Sequence, residues 1–271
     1  MAFLITSSRR RVTGLILTFI FVFPLSVFAE TVLITGSNSG IGLEFAKQYA
    51  AKGWTVIATH RRDTTPDTLQ VLSVKYNNVR PERMDVTRHD EIDALSKKLK
   101  DTPIDVLINN AGIVRFGDFN DPAAGAAQSL GTLNYNQFDP IIHTNVMGPT
   151  KVVEAFVDQV KASKQKKIVN ISSAAGTVSV PPTFPGFLWY RASKAALNSI
   201  MVSLAQTLKE QGITVVMFHP GFVRVERLED LDLPGMVETK DSVSGMIKVI
   251  DGLTVSDSGS FFTHTGDPQP W

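Results

Sequence analysis

The chain has 271 residues, 43% hydrophobic and 20% charged, with a formal net charge of +1. That composition belongs to a globular protein long enough for one large α/β domain with a sizeable core, and no basic run points to a nucleic-acid partner. The absence of cysteine excludes disulfides, thiol catalysis and thiolate metal sites, and His60, His89, His143, His219 and His264 form no closely spaced pair, so no metal site is expected.

Arg9, Arg10 and Arg11 precede an uncharged, mostly apolar run from Val12 to Ala29 that ends Val27-Phe28-Ala29. A basic start, an apolar stretch and small residues before a cut describe a signal peptide. As a helix the run would reach roughly 27 Å, so a membrane anchor through residues 12–29 is the other expectation. Ser8–Val12 partly resembles a twin-arginine signal, which would export a folded protein with its cofactor bound. A misassigned start codon would instead leave a cytoplasmic protein. Residues 1–29 are therefore set apart from a domain spanning 30–271, in which 24 bases face 26 acids.

Thr31–Thr35 is a short β-branched run, as expected of a buried parallel strand. It enters Gly36-Ser-Asn-Ser39-Gly40-Ile41-Gly42 and then a helix with Phe45, Ala46, Tyr49 and Ala50 on one face. Strand, glycine loop and helix form the setting in which backbone amides and a helix dipole bind phosphate. A second strand, Trp54–Thr59, is followed by His60-Arg61-Arg62, where an acid would hold an adenosine 2′-hydroxyl. Guanidinium forks suit a 2′-phosphate, so the expectation is NADP over NAD, with nearby Asp63 counting slightly against it.

A third strand is expected over 78–84, leading to Asp85-Val86, then a helix over 90–100. A fourth over 104–108 is closed by Asn109-Asn110-Ala111-Gly112, and residues 115–136 read as a long loop or lid. One helical segment then runs from Gln137 through Asn145 to about Ala162. A fifth strand over 166–171 leads to Ser172-Ser173, and a sixth over 213–218 to His219-Pro220-Gly221. Residues 224–240 could cover a substrate; a helix over 242–253 and a strand over 259–264 complete the chain. Strands alternating with helices imply a doubly wound parallel sheet with helices on both faces, in a single domain.

Between the fifth and sixth strands, Tyr190 and Lys194 stand four apart in a helical apolar pattern, so they share a face. A cation beside a phenol pulls its pKa from about 10 towards neutrality, and such a phenol can exchange a proton at working pH.

Taken in order, Thr35-Gly-Ser-Asn-Ser-Gly-Ile-Gly42, Asp85-Val86, Asn109–Gly112, Asn145, Ser173, Tyr190-x-x-x-Lys194 and Pro220-Gly221 strongly resemble the short-chain dehydrogenase/reductase family. Gln128–Thr132, Tyr190–Asn198 and the stretch Gly266–Trp271 resemble its sniffer and C-factor branch, which includes carbonyl reductases and a protein linked to cell-to-cell signalling. The resemblance implies Tyr190 as general acid/base, Lys194 as its partner and ribose ligand, Ser173 on the substrate carbonyl, and Asn145 anchoring a water in a proton relay. It also implies cofactor contacts from Gly36, Ser39, Gly40, Ile41, Gly42, Arg61, Asp85, Val86, Asn110, Ala111, Gly112, Pro220, Gly221 and Val223. The implied reaction moves hydride between nicotinamide and a carbonyl or alcohol, in a homodimer or homotetramer. A dinucleotide-binding signalling or regulatory protein with little turnover is the alternative. Two departures stand out. An insert around Pro181–Gly186 leaves Ser172 and Ser173 both open as the catalytic serine. Val225 occupies a position where relatives often carry threonine, which shifts the expected nicotinamide contact to the backbone near Val223. The apolar residues Phe184, Phe187, Leu188 and Trp189 suggest a substrate with a hydrophobic body, or simply pack.

Overall fold

The computed structural model describes Met1 and residues 29–114, 128–182, 186–230 and 232–271. The leader expected over 1–29, most of the expected lid and Phe184 lie outside the described residues.

Seven strands run parallel in one sheet: β1 (Thr31–Ile34), β2 (Thr55–His60), β3 (Val79–Arg83), β4 (Val106–Asn109), β5 (Lys167–Ile171), β6 (Thr214–His219) and β9 (Phe261–Thr263). Their order is β3-β2-β1-β4-β5-β6-β9. The chain winds outward from β1 to β3, then crosses back to place β4 on the other side of β1, opening a crevice where ligands of such sheets bind. The edge strand β3 tolerates Pro81, whose missing N–H faces no partner strand.

Both faces are covered because successive side chains alternate. Val32 and Ile34 pack towards α1 (Gly40–Ala51), α2 (Asp67–Lys75) and α7 (Thr239–Gly252), with Phe45, Tyr49, Leu69, Met246 and Ile250. Leu33 points the other way, into a second core with α3 (His89–Lys98), α5 (Gly148–Lys161) and α6 (Leu188–Lys209), which contribute Ile92, Phe156, Leu197 and Met201. The result is the expected doubly wound single domain.

Three elements differ from expectation. Helix α2 was not foreseen. The segment beginning near Gln137 is not one helix: α4 (Phe138–Ile142) passes through a π-turn at His143–Met147 before α5 begins. Residues 222–238 hold a small parallel pair, β7 (Phe222–Arg224) with β8 (Met236–Glu238).

Candidate active site

The loops after β1, β4, β5 and β6 meet at the carboxyl ends of the central strands. Gly36, with φ of 68°, turns the chain out of β1. A Cβ on Gly42 would lie 2.3 Å from the Gly36 carbonyl oxygen and 2.4 Å from Asn110 Nδ2, so only glycine fits there. Asn110 spends its amide on the loop, donating to the carbonyls of Thr35 (2.9 Å) and Gly36 (3.1 Å). The Thr35 hydroxyl in turn accepts from the amides of Asn110 and Ala111. The glycine loop is thus tied to the end of β4.

The free edge of this loop already holds an anion. Both carboxylate oxygens of Glu226 accept from Gly40 N–H, at 2.9 and 3.0 Å, and Val225 lies against Gly40. A carboxylate seated at the α1 N-terminus is a stand-in for a phosphate, so the cradle fits a dinucleotide. Beyond the end of β2, Arg61 is exposed and has no hydrogen-bond or ion-pair partner among the described residues. Asp63 instead lies 3.3 Å from Arg83. Asp85 holds Thr87 through one carboxylate oxygen. Gly221 takes φ of 88°, and the Pro220 carbonyl accepts from Ser242.

Ser172 and Ser173 separate cleanly. Ser172 is buried, with its hydroxyl donating to Asn198 Oδ1 at 2.6 Å. Ser173 caps the short turn Ala174–Gly176, accepting from Ala175 N–H, and its hydroxyl is the nearby group that favours the charged form of the Tyr190 phenol. Of the pair, Ser173 faces the phenol. Lys194 Nζ lies 5.8 Å from the Tyr190 ring centre and donates to the Ile171 carbonyl at 2.8 Å.

The electrostatics correct one expectation. Tyr190 is not lowered by Lys194; burial pushes the phenol above its ordinary value, opposed by the nearby Ser173 hydroxyl and the charge of Arg227. Lys194 is itself buried, and desolvation brings its amine down to about 8. Burial outweighs the pairing, so the phenol is held in its neutral form.

Asn145 is fully buried in the π-turn. Its amide clasps the Ile113 backbone at 2.8 Å in both directions and donates to Ser193 Oγ at 3.0 Å. With both amide hydrogens committed, it cannot donate to a water. Trp189 packs on Tyr135 and Phe138, so this part of the apolar insert is packing. Sequence reasoning assigned no role to Gln128, whose side chain accepts from Tyr190 N–H, or to Glu226 and Arg227.

A hydroxyl pair backed by a buried amine, at the switch point of a doubly wound sheet, is the arrangement of an oxidoreductase. The chain matches the short chain dehydrogenase model over residues 30–233 and belongs to that family. It is 34% identical to the C-signal of Myxococcus xanthus over 170 residues, covering 62% of this chain and 93% of that one. An uncharacterized oxidoreductase of Schizosaccharomyces pombe is 33% identical over 258 residues, covering 88% and 96%. Among solved structures, the NADPH-bound carbonyl reductase from chicken fatty liver superposes with a TM-score of 0.79 at 30% identity, covering 90% of this chain and 99% of that one. The carbonyl reductase sniffer of D. melanogaster gives 0.76 at 25% identity, covering 90% and 100%.

Proposed function

We propose that this oxidoreductase is an NADP(H)-dependent carbonyl reductase, acting in reverse as an alcohol dehydrogenase. The observation that carries the reading is the Tyr190 phenol under the influence of Ser173 on one side and beside buried Lys194, whose Nζ lies 5.8 Å from its ring centre. The preference for NADP rests on exposed Arg61, without a partner among the described residues, and on the NADPH bound by the chicken carbonyl reductase.

When bound, the nicotinamide supplies the hydride for the carbonyl carbon. Tyr190 gives its proton to the carbonyl oxygen, and Ser173 hydrogen-bonds the same oxygen, stabilising the charge that develops there. Lys194 returns a proton towards the phenol and would hold the nicotinamide ribose. Asn145 fixes Ile113 and Ser193 around them. Gly36, Ser39, Gly40, Ile41 and Gly42 would hold the pyrophosphate once Glu226 yields. Asp85, Val86, Asn110, Ala111 and Gly112 would border the adenosine, and Pro220, Gly221 and Val223 the nicotinamide end. Exposed Val178, Val180, Leu188 and Phe222 lie in the segments adjoining Ser173, Tyr190 and Gly221, which favours a substrate with an apolar body.

The test is NADPH oxidation by the purified protein against a panel of aldehydes and ketones, beside Tyr190→Phe. Turnover should fall by roughly 100- to 10,000-fold in the variant, with NADPH still bound. A second reading, a dinucleotide-binding signalling protein, is favoured by the similarity to the C-signal. Tight NADPH binding with no turnover on any carbonyl, in either direction, would select it. Export or anchoring through residues 1–29 is tested by a fusion reporter on that segment, and a homodimer or homotetramer by light scattering.

A further inference from the structure

We infer that Gln128 is a positioning residue for the reaction, fixing the Tyr190 backbone, and with it the phenol, from the side opposite Ser193. The inference rests on Tyr190 being the proton donor proposed above.

A helix leaves its first amides without partners inside the helix, and a Ser, Thr, Asp or Asn just ahead of it usually satisfies one. Nothing of that kind precedes α6. The residue at its start is Phe187, in the left-handed region with φ of 55°, and no side-chain cap is made there. The partner comes instead from 62 residues upstream. Gln128 is fully buried and serves two of the amides of α6: its main-chain oxygen accepts from Leu188 N–H at 3.0 Å, and its Oε1 accepts from Tyr190 N–H at 3.0 Å. Its Nε2 donates to the Val114 carbonyl at 2.7 Å.

The other end of the Tyr190 residue is held as well. Its carbonyl accepts from Ser193 Oγ at 2.7 Å, and Ser193 Oγ accepts from Asn145 Nδ2. Asn145 clasps Ile113, and Val114 is the next residue. The bonds close a ring through Gln128, Tyr190, Ser193, Asn145, Ile113 and Val114. Within it, both polar groups of the tyrosine main chain are pinned from opposite sides. Gln128 joins Tyr190 to Val114, so removing its amide opens the ring where it touches the proton donor. A side chain held by such a frame keeps its hydroxyl at a set distance from a substrate carbonyl, and misplacement by about 1 Å costs roughly 100-fold in rate.

The experiment compares Gln128→Met, which has similar length and neither hydrogen bond, with Gln128→Glu, which keeps an oxygen for Tyr190 N–H but loses the donor to Val114. In the cofactor-free full-length protein, amide hydrogen exchange at Tyr190 should quicken at least about tenfold in the methionine variant and stay near wild type in the glutamate variant. In turnover, Gln128→Met should lower kcat about 30- to 100-fold with the NADPH dissociation constant within about twofold of wild type. Combined with Ser193→Ala the losses should be less than multiplicative, because both substitutions release the same residue. A kcat within about threefold of wild type, or a fall in kcat matched by an equal fall in NADPH affinity, overturns the inference. If the methionine variant does not fold, the glutamate variant decides, since free exchange of its Tyr190 amide also overturns it. Absence of any turnover in the wild type would defeat the proposed reaction, while the exchange experiment would still test the Gln128 contact by itself.

Discussion

Both oxygens of the Glu226 carboxylate accept from the amide of Gly40, at the N-terminus of α1. A negative charge seated at the start of α1 has to be displaced before a phosphate can settle there. Glu226 lies just past β7, on the segment that leads to β8.

Glu226→Gln should therefore bind NADPH about three- to tenfold more tightly than the parent, with the difference shrinking as salt rises to about 1 M. A fluorescence titration at two ionic strengths reads this. Weaker binding by the glutamine variant would mean that the carboxylate helps to hold the cofactor.

Lys194 gives a prediction in pH. Its amine is lowered by burial to about 8, below its value in an unfolded chain, so the unfolded chain binds more protons between those two values. Stability should accordingly rise as pH climbs through that window, and below about 8 the folded state carries the full cost of a buried charge. Lys194→Met should lose turnover yet unfold at higher temperature at pH 7, by about 1–3 kcal/mol, with the advantage fading as pH passes 8 towards 10. Paired thermal melts across pH 6–10 check it.

Arg61→Asp should weaken NADP binding by roughly 10- to 100-fold and improve NAD binding, because an exposed guanidinium fork is exchanged for a group that accepts from a ribose hydroxyl. Unchanged selectivity would remove Arg61 from the cofactor site.

Gly42→Ala forces a methyl against the Gly36 carbonyl and the Asn110 amide. It should cost about 1–3 kcal/mol and weaken NADPH binding well beyond the loss of stability, since the loop must move away from β4. Urea unfolding and cofactor titration on the same sample separate the two effects.

The sheet was legible because parallel strands buried on both faces read as short β-branched runs, and the Gly36–Gly42 loop declares itself through glycines with a steric purpose. Tyr190 and Lys194 were legible because a helix converts spacing into a shared face. Helix α2 was hidden: Leu69 and Leu72 turn inward, while Val71 and Val74 face solvent and blur the pattern. The π-turn at Asn145 answers to the Ile113 backbone, 32 residues away. Gln128 stands among Gly, Ala and Ser, with nothing local to mark a side chain that completes a distant helix. The Tyr190 pKa failed for a related reason, since spacing names a neighbour but says nothing of how much water has been removed. Ser172 and Ser173 were inseparable until Asn198 claimed one of them.

The start of the domain has an orientation. Glu30 and Thr31 are fastened at the amino end of the central strand, where the Glu30 carbonyl accepts from Thr55 and the Thr31 amide donates to Asp105. The glycine loop and Tyr190 sit at the carboxyl end, across the full height of the sheet. Whatever is joined ahead of Glu30 therefore attaches at the end of the sheet opposite the glycine loop and Tyr190. A tether there, natural or engineered, would present the mouth of the cleft outward, so the protein could be immobilised on a surface or fused to a carrier with its substrate approach left open.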